Sequence, residues 1–317
     1  SNNEWWLFSD SFLREFVSVD TGFLPGEMEK IKYKSQMKTY FQKAGVKVSR
    51  YIMADTLEKS KEFAAQVGYP IFAKPDCGVG ANETYKIDNE VQLKAFHERH
   101  FVDPYIIEEY IDGYIISFDG ICDIDGNVVV AFQETFPKPI AEIKFEDTDL
   151  YYFANVDMPD SFREMGEKVV KTFGISKRCF HIEFFYLLED RPGLANRGEI
   201  IALECNMRSP GGNTPDLLQG ALNGSYYDIY ADVITKNRTD VDLNKEHFIA
   251  VAASRKNRFL YTHTAQEVLE KFASNIFEHG FYPKDIAAAM GDEFFYAKFK
   301  SIEEVMSFQE FVVEKAK

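Results

Sequence analysis

Cysteine is scarce and scattered. Cys77, Cys122, Cys179 and Cys205 are the four in 317 residues, with no CxxC pair. That excludes a disulfide framework and a cysteine zinc site of the usual spacing. All four lie in or beside strand-like runs, where a thiol acts as a small apolar residue, and free thiols suit a cytoplasmic protein. Basic charge is also short. Thirty-six Lys and Arg face 51 Asp and Glu, a net charge of −15, the reverse of a nucleic-acid-binding footprint. No apolar run reaches the ~20 residues that span a bilayer, so neither nucleic acid nor membrane is an expected partner. Ser1–Trp6 has no basic or apolar segment of a secretory leader. It also lacks Met, which gives the expectation of an added remnant or a fragment of a longer protein. There is no internal repeat and no low-complexity tract.

What is present is an ordinary globular composition, 45% hydrophobic and 15% aromatic, long enough for two or three subdomains. Periodicity predicts helices over 27–44, 56–67, 90–99, 160–173, 226–235, 265–274 and 302–315. In the first, Met28, Ile31, Met37, Tyr40 and Phe41 form the buried face; Thr56 is an N-cap for the second. Strands are predicted over 46–53, 69–75, 84–87, 105–110, 115–124, 128–136, 180–188, 199–206, 246–255 and 292–299. Asp125-Gly126-Asn127 joins two of them as a hairpin. Residues 137–158 read as a long functional loop. The fold class is α+β with a β-rich middle.

Chemistry concentrates in three places. The apolar run Ile201-Ala202-Leu203 leads into Glu204-Cys205-Asn206-Met207-Arg208-Ser209-Pro210-Gly211-Gly212. On a strand Glu204, Asn206 and Arg208 project from one face. A carboxylate beside an amide oxygen suits a hard cation such as Mg²⁺ (or Mn²⁺), which also bridges to phosphates. The Arg208 fork fits carboxylate or phosphate oxygens. Glu183, 21 residues upstream of Glu204, offers a second carboxylate in another β-like run. The competing reading is charged residues at strand ends.

The second place is Ala73-Lys74-Pro75 followed by Asp76-Cys77-Gly78-Val79-Gly80-Ala81-Asn82. Here glycines would let backbone N–H groups approach a phosphate and Lys74 adds a point charge; a plain turn is the alternative. The third is Ile106-Ile107-Glu108-Glu109-Tyr110-Ile111-Asp112-Gly113, an edge able to receive an adenine, or a strand end with solvated acids. His181 and His263 read as structural, since no Ser or Cys nucleophile signature accompanies them. Trp5, Trp6, Phe8 and Phe12 read as a packing helix, and Arg255 and Arg258 as minor candidates for substrate or phosphate binding.

In this order the elements resemble the ATP-grasp superfamily of carboxylate–amine ligases, over roughly residues 30–235. The stretch Lys74–Ala81 is most similar to members related to amino-acid ligases and biotin carboxylase. The resemblance implies an ATP-grasp fold of two α+β subdomains clasping a nucleotide: 27–112, and 113–317 with a C-terminal α/β extension. Residues 1–26 would be an N-terminal segment in place of the family's usual first domain, leaving contact with a missing domain or a homo-oligomer as partner expectations. It implies ATP bound by Lys34 (with Lys32 as competitor, because the usual Asp-Lys pair is Tyr33-Lys34), by Lys74, and by the loop Gly78, Gly80 and Ala81. Glu108, Glu109, Tyr110 and Ile111 fall on the adenine hinge, and Glu183, Glu204 and Asn206 on the Mg²⁺ ligands. Arg208 falls on the catalytic arginine. Where the family often has Gly-x-Glu for the ribose, this chain has Gly113-Tyr114-Ile115. The implied activity is formation of an acyl phosphate and its transfer to an amine. The alternatives are a carboxyl-phosphate enzyme, like carbamoyl-phosphate synthase or biotin carboxylase, and a non-catalytic nucleotide-binding module.

Overall fold

The computed structural model describes residues 6–19, 21–78, 83–137, 148–284 and 286–316. Two compact units emerge, each assembled from several segments. The first comprises Ser1–Gly113, Met165–Ser176 and Ile182–Arg208; the second comprises Tyr114–Glu164, Lys177–His181 and Ser209–Lys317.

The first unit opens with helix α1 (Leu7–Val17), which buries Leu7 and Ser11 but exposes Phe12, Leu13 and Phe16. The sequence reading of a packing helix is therefore met on one narrow stripe only. The helix expected over 27–44 is broken. A 3₁₀ turn (Pro25–Glu27) and the short α2 (Glu29–Lys32) precede α3 (Lys34–Lys43), and Tyr33 between them is extended, at φ −98° and ψ 120°. The reason is tertiary: the Lys34 N–H, an orphan donor at a helix start, bonds to Asp76 O at 2.8 Å. Asp76 also accepts from Ser35 N and Ser35 Oγ, at 2.7 and 2.8 Å.

The strand expected over 46–53 is likewise two strands. β1 (Lys47–Val48) pairs in parallel with Ile201–Ala202, whereas β2 (Tyr51–Met53) joins a separate four-stranded sheet. That sheet runs β2, β5 (Tyr105–Glu109), β3 (Ile71–Pro75), β4 (Tyr85–Ile87), all antiparallel. Helices α4 (Leu57–Val67) and α5 (Glu90–His97) belong with it, and Phe63, Ile71, Ala73, Leu93, Phe96 and Ile107 share one core cluster. Thr56 caps α4 by accepting from Lys59 N. Gly113, just beyond the hinge segment, is needed for close approach, since a Cβ there would lie 2.5 Å from Tyr186 O.

The second unit is built on β6 (Gly113–Cys122), β7 (Val128–Phe136), β8 (Tyr151–Asn155), β11 (Ile249–Arg255), β13 (Glu293–Phe299) and β12 (Ile276–Phe281), adjacent in that order. The first residues of β9 (Arg178–Leu187), up to His181, neighbour β6 in this unit. The remainder of β9 belongs to the first unit beside β10 (Ile200–Asn206). Alternation along β11 explains why it is buried on both faces. Ala250 and Ala252 join a core with Leu217, Leu218 and Ile229, while Val251 and Ala253 join one with Val305, Phe308 and Val312.

Part of the loop expected over 137–158 is strand, because Thr135 pairs with Phe153 and Tyr152 with Ala252; 138–147 lie outside the described residues. A helix over Thr214–Leu222, with Pro215 at its first turn, and strand β12 had no counterpart in the sequence reading. Among the described residues, no helix is long and apolar enough to cross a membrane.

Candidate active site

Apart from the minor candidates Arg255 and Arg258, the described site candidates fall in the first unit, on α3, β3 and the turn after it, the end of β5 with its following linker, β9, and β10 with the residues just beyond it. The helix break sets the first lysine. With α3 starting at Lys34, its ammonium reaches Glu204 Oε1 at 3.3 Å and donates to Gly78 O at 3.3 Å. One Nζ thus touches the carboxylate strand and the first glycine of the loop. Lys32 is also buried, and lies close enough to act on the Cys77 thiol, whose pKa burial nevertheless raises.

Glu204, half-buried on β10, collects positive charge. Burial alone would raise its carboxyl, but Lys34, Lys74 and Arg208 outweigh that and hold it below the usual carboxylate range. So both lysines and the arginine act on one acid. On neighbouring β9, Glu183 Oε2 accepts from Asn206 Nδ2 at 3.5 Å, which brings the strand pair's second carboxylate to the amide. Arg208 follows half-buried, two residues beyond Asn206.

Behind Lys74 lies a network that the sequence reading only half contained. Lys74 Nζ is 3.0 Å from Glu108 Oε1. The other oxygen of Glu108 takes a 2.8 Å bond from Ser49 Oγ and the Lys38 ammonium at 3.2 Å, and Lys38 donates to Ser49 Oγ at 2.7 Å. Lys38, Ser49, Lys74 and Glu108 are all buried. Burial pushes Glu108 upward, yet the two lysines more than reverse this and leave it at about 2. For Lys38, burial and the like charge of Lys74 prevail over Glu108, and its ammonium falls to about 8. Lys38 and Ser49 were missed as site residues. The available signal was the spacing of Lys34 and Lys38, four apart on one helix face.

The other hinge candidates have distinct surroundings. Glu109 accepts from Arg50 through its backbone N at 3.0 Å, its Nε at 2.8 Å and its Nη2 at 2.5 Å. The Tyr110 carbonyl accepts from Arg191, and Lys86 lies 4.4 Å from the Tyr110 ring centroid. Ile111 packs with Leu187, Ala195 and Ile201. Gly80 and Ala81 lie outside the described residues.

Other singled-out residues lie away from these contacts. Arg255 is buried, donates to Val312 O at 2.6 Å and lies over the Tyr261 and Phe295 rings. His263 stacks on Phe311 and bonds Glu314. His181 belongs to a buried group in the second unit. Its Nδ1 lies 2.5 Å from Asp119 Oδ1, and donor atoms of Asp119, Glu134 and His181 are all within 4.8 Å of one another.

Known proteins share this architecture. The L-amino acid ligase of Bacillus licheniformis superposes with a TM-score of 0.69 at 14% identity, covering 98% of this chain and 77% of that one. The N5-carboxyaminoimidazole synthase of Aspergillus clavatus, solved with ADP and 5-aminoimidazole ribonucleotide, gives 0.66 at 15%, covering 95% and 78%. The chain has the ATP-grasp fold. A third ATP-grasp neighbour is the biotin carboxylase domain of Hydrogenobacter thermophilus 2-oxoglutarate carboxylase, a dimer solved with MgADP and bicarbonate. It scores 0.63 at 14% identity, covering 96% and 70%. In sequence, 101 residues are 27% identical to the N-terminal section of the Methanopyrus kandleri carbamoyl phosphate synthase large chain. That match takes in 30% of this chain and 18% of that protein. No protein-family model matches.

Proposed function

We propose that this ATP-grasp chain is an ATP-dependent ligase that activates a carboxylate as an acyl phosphate and transfers the acyl group to an amine. The single observation that carries it is the Lys34 ammonium, which contacts Glu204 and the Gly78 carbonyl together. The helix lysine, the glycine loop and the carboxylate strand therefore meet at one point, and Lys74 acts on the same carboxylate.

In this reading Lys34 and Lys74 hold the nucleotide's phosphates, with Gly78, Gly80 and Ala81 as backbone donors. The segment Glu108–Ile111 borders the adenine. A substrate carboxylate attacks the γ-phosphorus, ADP departs, and the amine then attacks the acyl carbon as phosphate leaves. Arg208 stabilises negative charge on the acyl phosphate and on the tetrahedral oxyanion. The donor set fits Mg²⁺: Glu183, Glu204 and the Asn206 amide oxygen are hard oxygen ligands, and Glu204 already attracts a cationic group at 3.3 Å. Bound there, Mg²⁺ would neutralise phosphate charge. The subdomain division at 112/113, a cytoplasmic location and self-association belong to the same proposal. Four free cysteines suit a reducing compartment.

The test is phosphate release from MgATP across arrayed pairs of amino acids and other carboxylates and amines, with product masses read in parallel. A pair-dependent C–N product supports the reading. The carbamoyl-phosphate-synthase match favours one competitor, a carboxyl-phosphate enzyme, and bicarbonate-dependent ADP formation without any amine-pair product would select it. Tight ATP binding with no turnover in either array would leave a binding module.

A further inference from the structure

The two lysines nearest the nucleotide loop are each already engaged with a carboxylate. Lys74 pairs with Glu108 and Lys34 with Glu204. A lysine fully neutralised by its own acid is a poor phosphate anchor, because the pair carries no net charge for the ligand to meet. Lys38 changes this balance. It is four residues along α3 from Lys34, its side chain is 1% exposed, and it is too deep to touch a ligand. Its ammonium and the Ser49 hydroxyl take one oxygen of Glu108, leaving the other to Lys74. Two ammoniums thus divide one carboxylate, and the group as a whole is positive.

We propose that Lys38 is a positioning residue for the nucleotide's phosphates: by holding Glu108 through Ser49 and its own ammonium, it leaves Lys74 aimed and with surplus positive charge. This rests on the ATP reading above. Among the described residues, the charged and titratable groups set against Lys38 come from three strands. Glu108 and Glu109 on β5 favour its charge, Lys74 on β3 disfavours it, and the Tyr51 ring of β2 lies 5.3 Å from its Nζ. The Tyr51 hydroxyl is raised, chiefly by burial, above its ordinary value, so it does not titrate first. Since the Lys38 ammonium is lowered to about 8, the free protein loses this charge as pH rises through that value, and phosphate affinity should fall with it.

The experiment measures equilibrium binding of ATP and of adenosine by calorimetry, from pH 6.5 to 9.5, with folding checked by circular dichroism. Lys38→Met is expected to weaken ATP about tenfold or more, the scale of one lost charge-assisted interaction, while adenosine affinity stays within about twofold. Lys38→Arg, whose guanidinium stays charged throughout the range, should retain ATP binding and abolish the loss of affinity above about pH 8. Should Lys38→Met misfold, Ser49→Ala and Lys38→Arg still carry the test. ATP affinity unchanged in Lys38→Met, equal losses of ATP and adenosine, or a pH limb that persists in Lys38→Arg would each overturn the role of Lys38. The ligase proposal would survive these as long as Lys74→Ala still weakens ATP binding about tenfold or more. Absence of ATP binding by the native chain would overturn both.

Discussion

Each unit buries a small polar group, and the two are opposite in charge design. In the first, Lys38 and Lys74 surround one acid, Glu108. In the second, Asp119 and Glu134 sit with one imidazole, His181. Burial penalises all of these charges alike, so what differs is the surplus. The first group is cation-rich and lies at the end of the glycine-loop strand, where the proposed function places the nucleotide's phosphates. The second is acid-rich, is tied together by Ser117, Asp119 and His181 hydrogen bonds, and sits between β6, β7 and β9. On the proposed function, the sign of the surplus charge, rather than burial of charge as such, is what distinguishes the first group from the second.

The largest effect expected concerns chemistry rather than binding. Arg208→Ala should keep ATP affinity within about an order of magnitude and lower ligase turnover roughly a hundredfold or more, as for a lost oxyanion donor. Single-turnover rates beside binding isotherms will show it; a parallel loss of both would place Arg208 with the ground-state anchors.

Next comes Lys74→Ala. The cation-rich group loses the member nearest the loop, so ATP affinity should fall about tenfold to a hundredfold with the far-ultraviolet spectrum retained. Unchanged affinity would return the glycine loop to a plain turn.

A third measurement sharpens the comparison through pH. Glu108 at about 2 lies below its ordinary value of about 4.3, although burial opposes this, because Lys38 and Lys74 favour the carboxylate. A depressed acid contributes stability that is complete above the unfolded pKa and is lost as pH falls toward the folded one. Denaturant midpoints should therefore decline between about pH 4 and about 2, and Glu108→Gln should be less stable at pH 7 but flatter across that window. An identical slope in the variant would mean that other acids govern it.

The smallest effect is expected in the second unit. Asp119→Asn weakens the bond to His181, at a cost of about 1–3 kcal/mol, visible as a melting temperature lower by a few degrees. ATP affinity should stay within about threefold, and a loss as large as that of Lys74→Ala would break the distinction between the two groups.

Much of the candidate site was legible because it is written locally. Glu204, Asn206 and Arg208 share a strand face by the two-residue period alone, and Lys74 ends an apolar run before glycines. Glu183 beside Asn206 needed only the pairing of two adjacent strands. Lys38 was passed over because its spacing from Lys34 shows only a shared helix face, and that this face is buried against an acid is decided by Glu108 and Ser49, which arrive from elsewhere. The Asp119, Glu134 and His181 group was invisible for the same reason, since β6–β7 register, with Ser117 opposite Glu134, decides it.

By itself, then, the sequence determined most of the element types, the α+β class and the order of chemical motifs, because apolar periodicity and strand alternation act within a few residues of chain. It also determined the hairpin at Asp125-Gly126-Asn127. Tertiary structure alone decided the break at Tyr33, where a bond to Asp76 starts a new helix at Lys34, and the division of 46–53 between two sheets. It alone decided which lysine faces which acid. Helix starts and charge pairs at these places depend on donors and acceptors that lie tens of residues away along the chain, and the periodicity of a local segment carries no record of them.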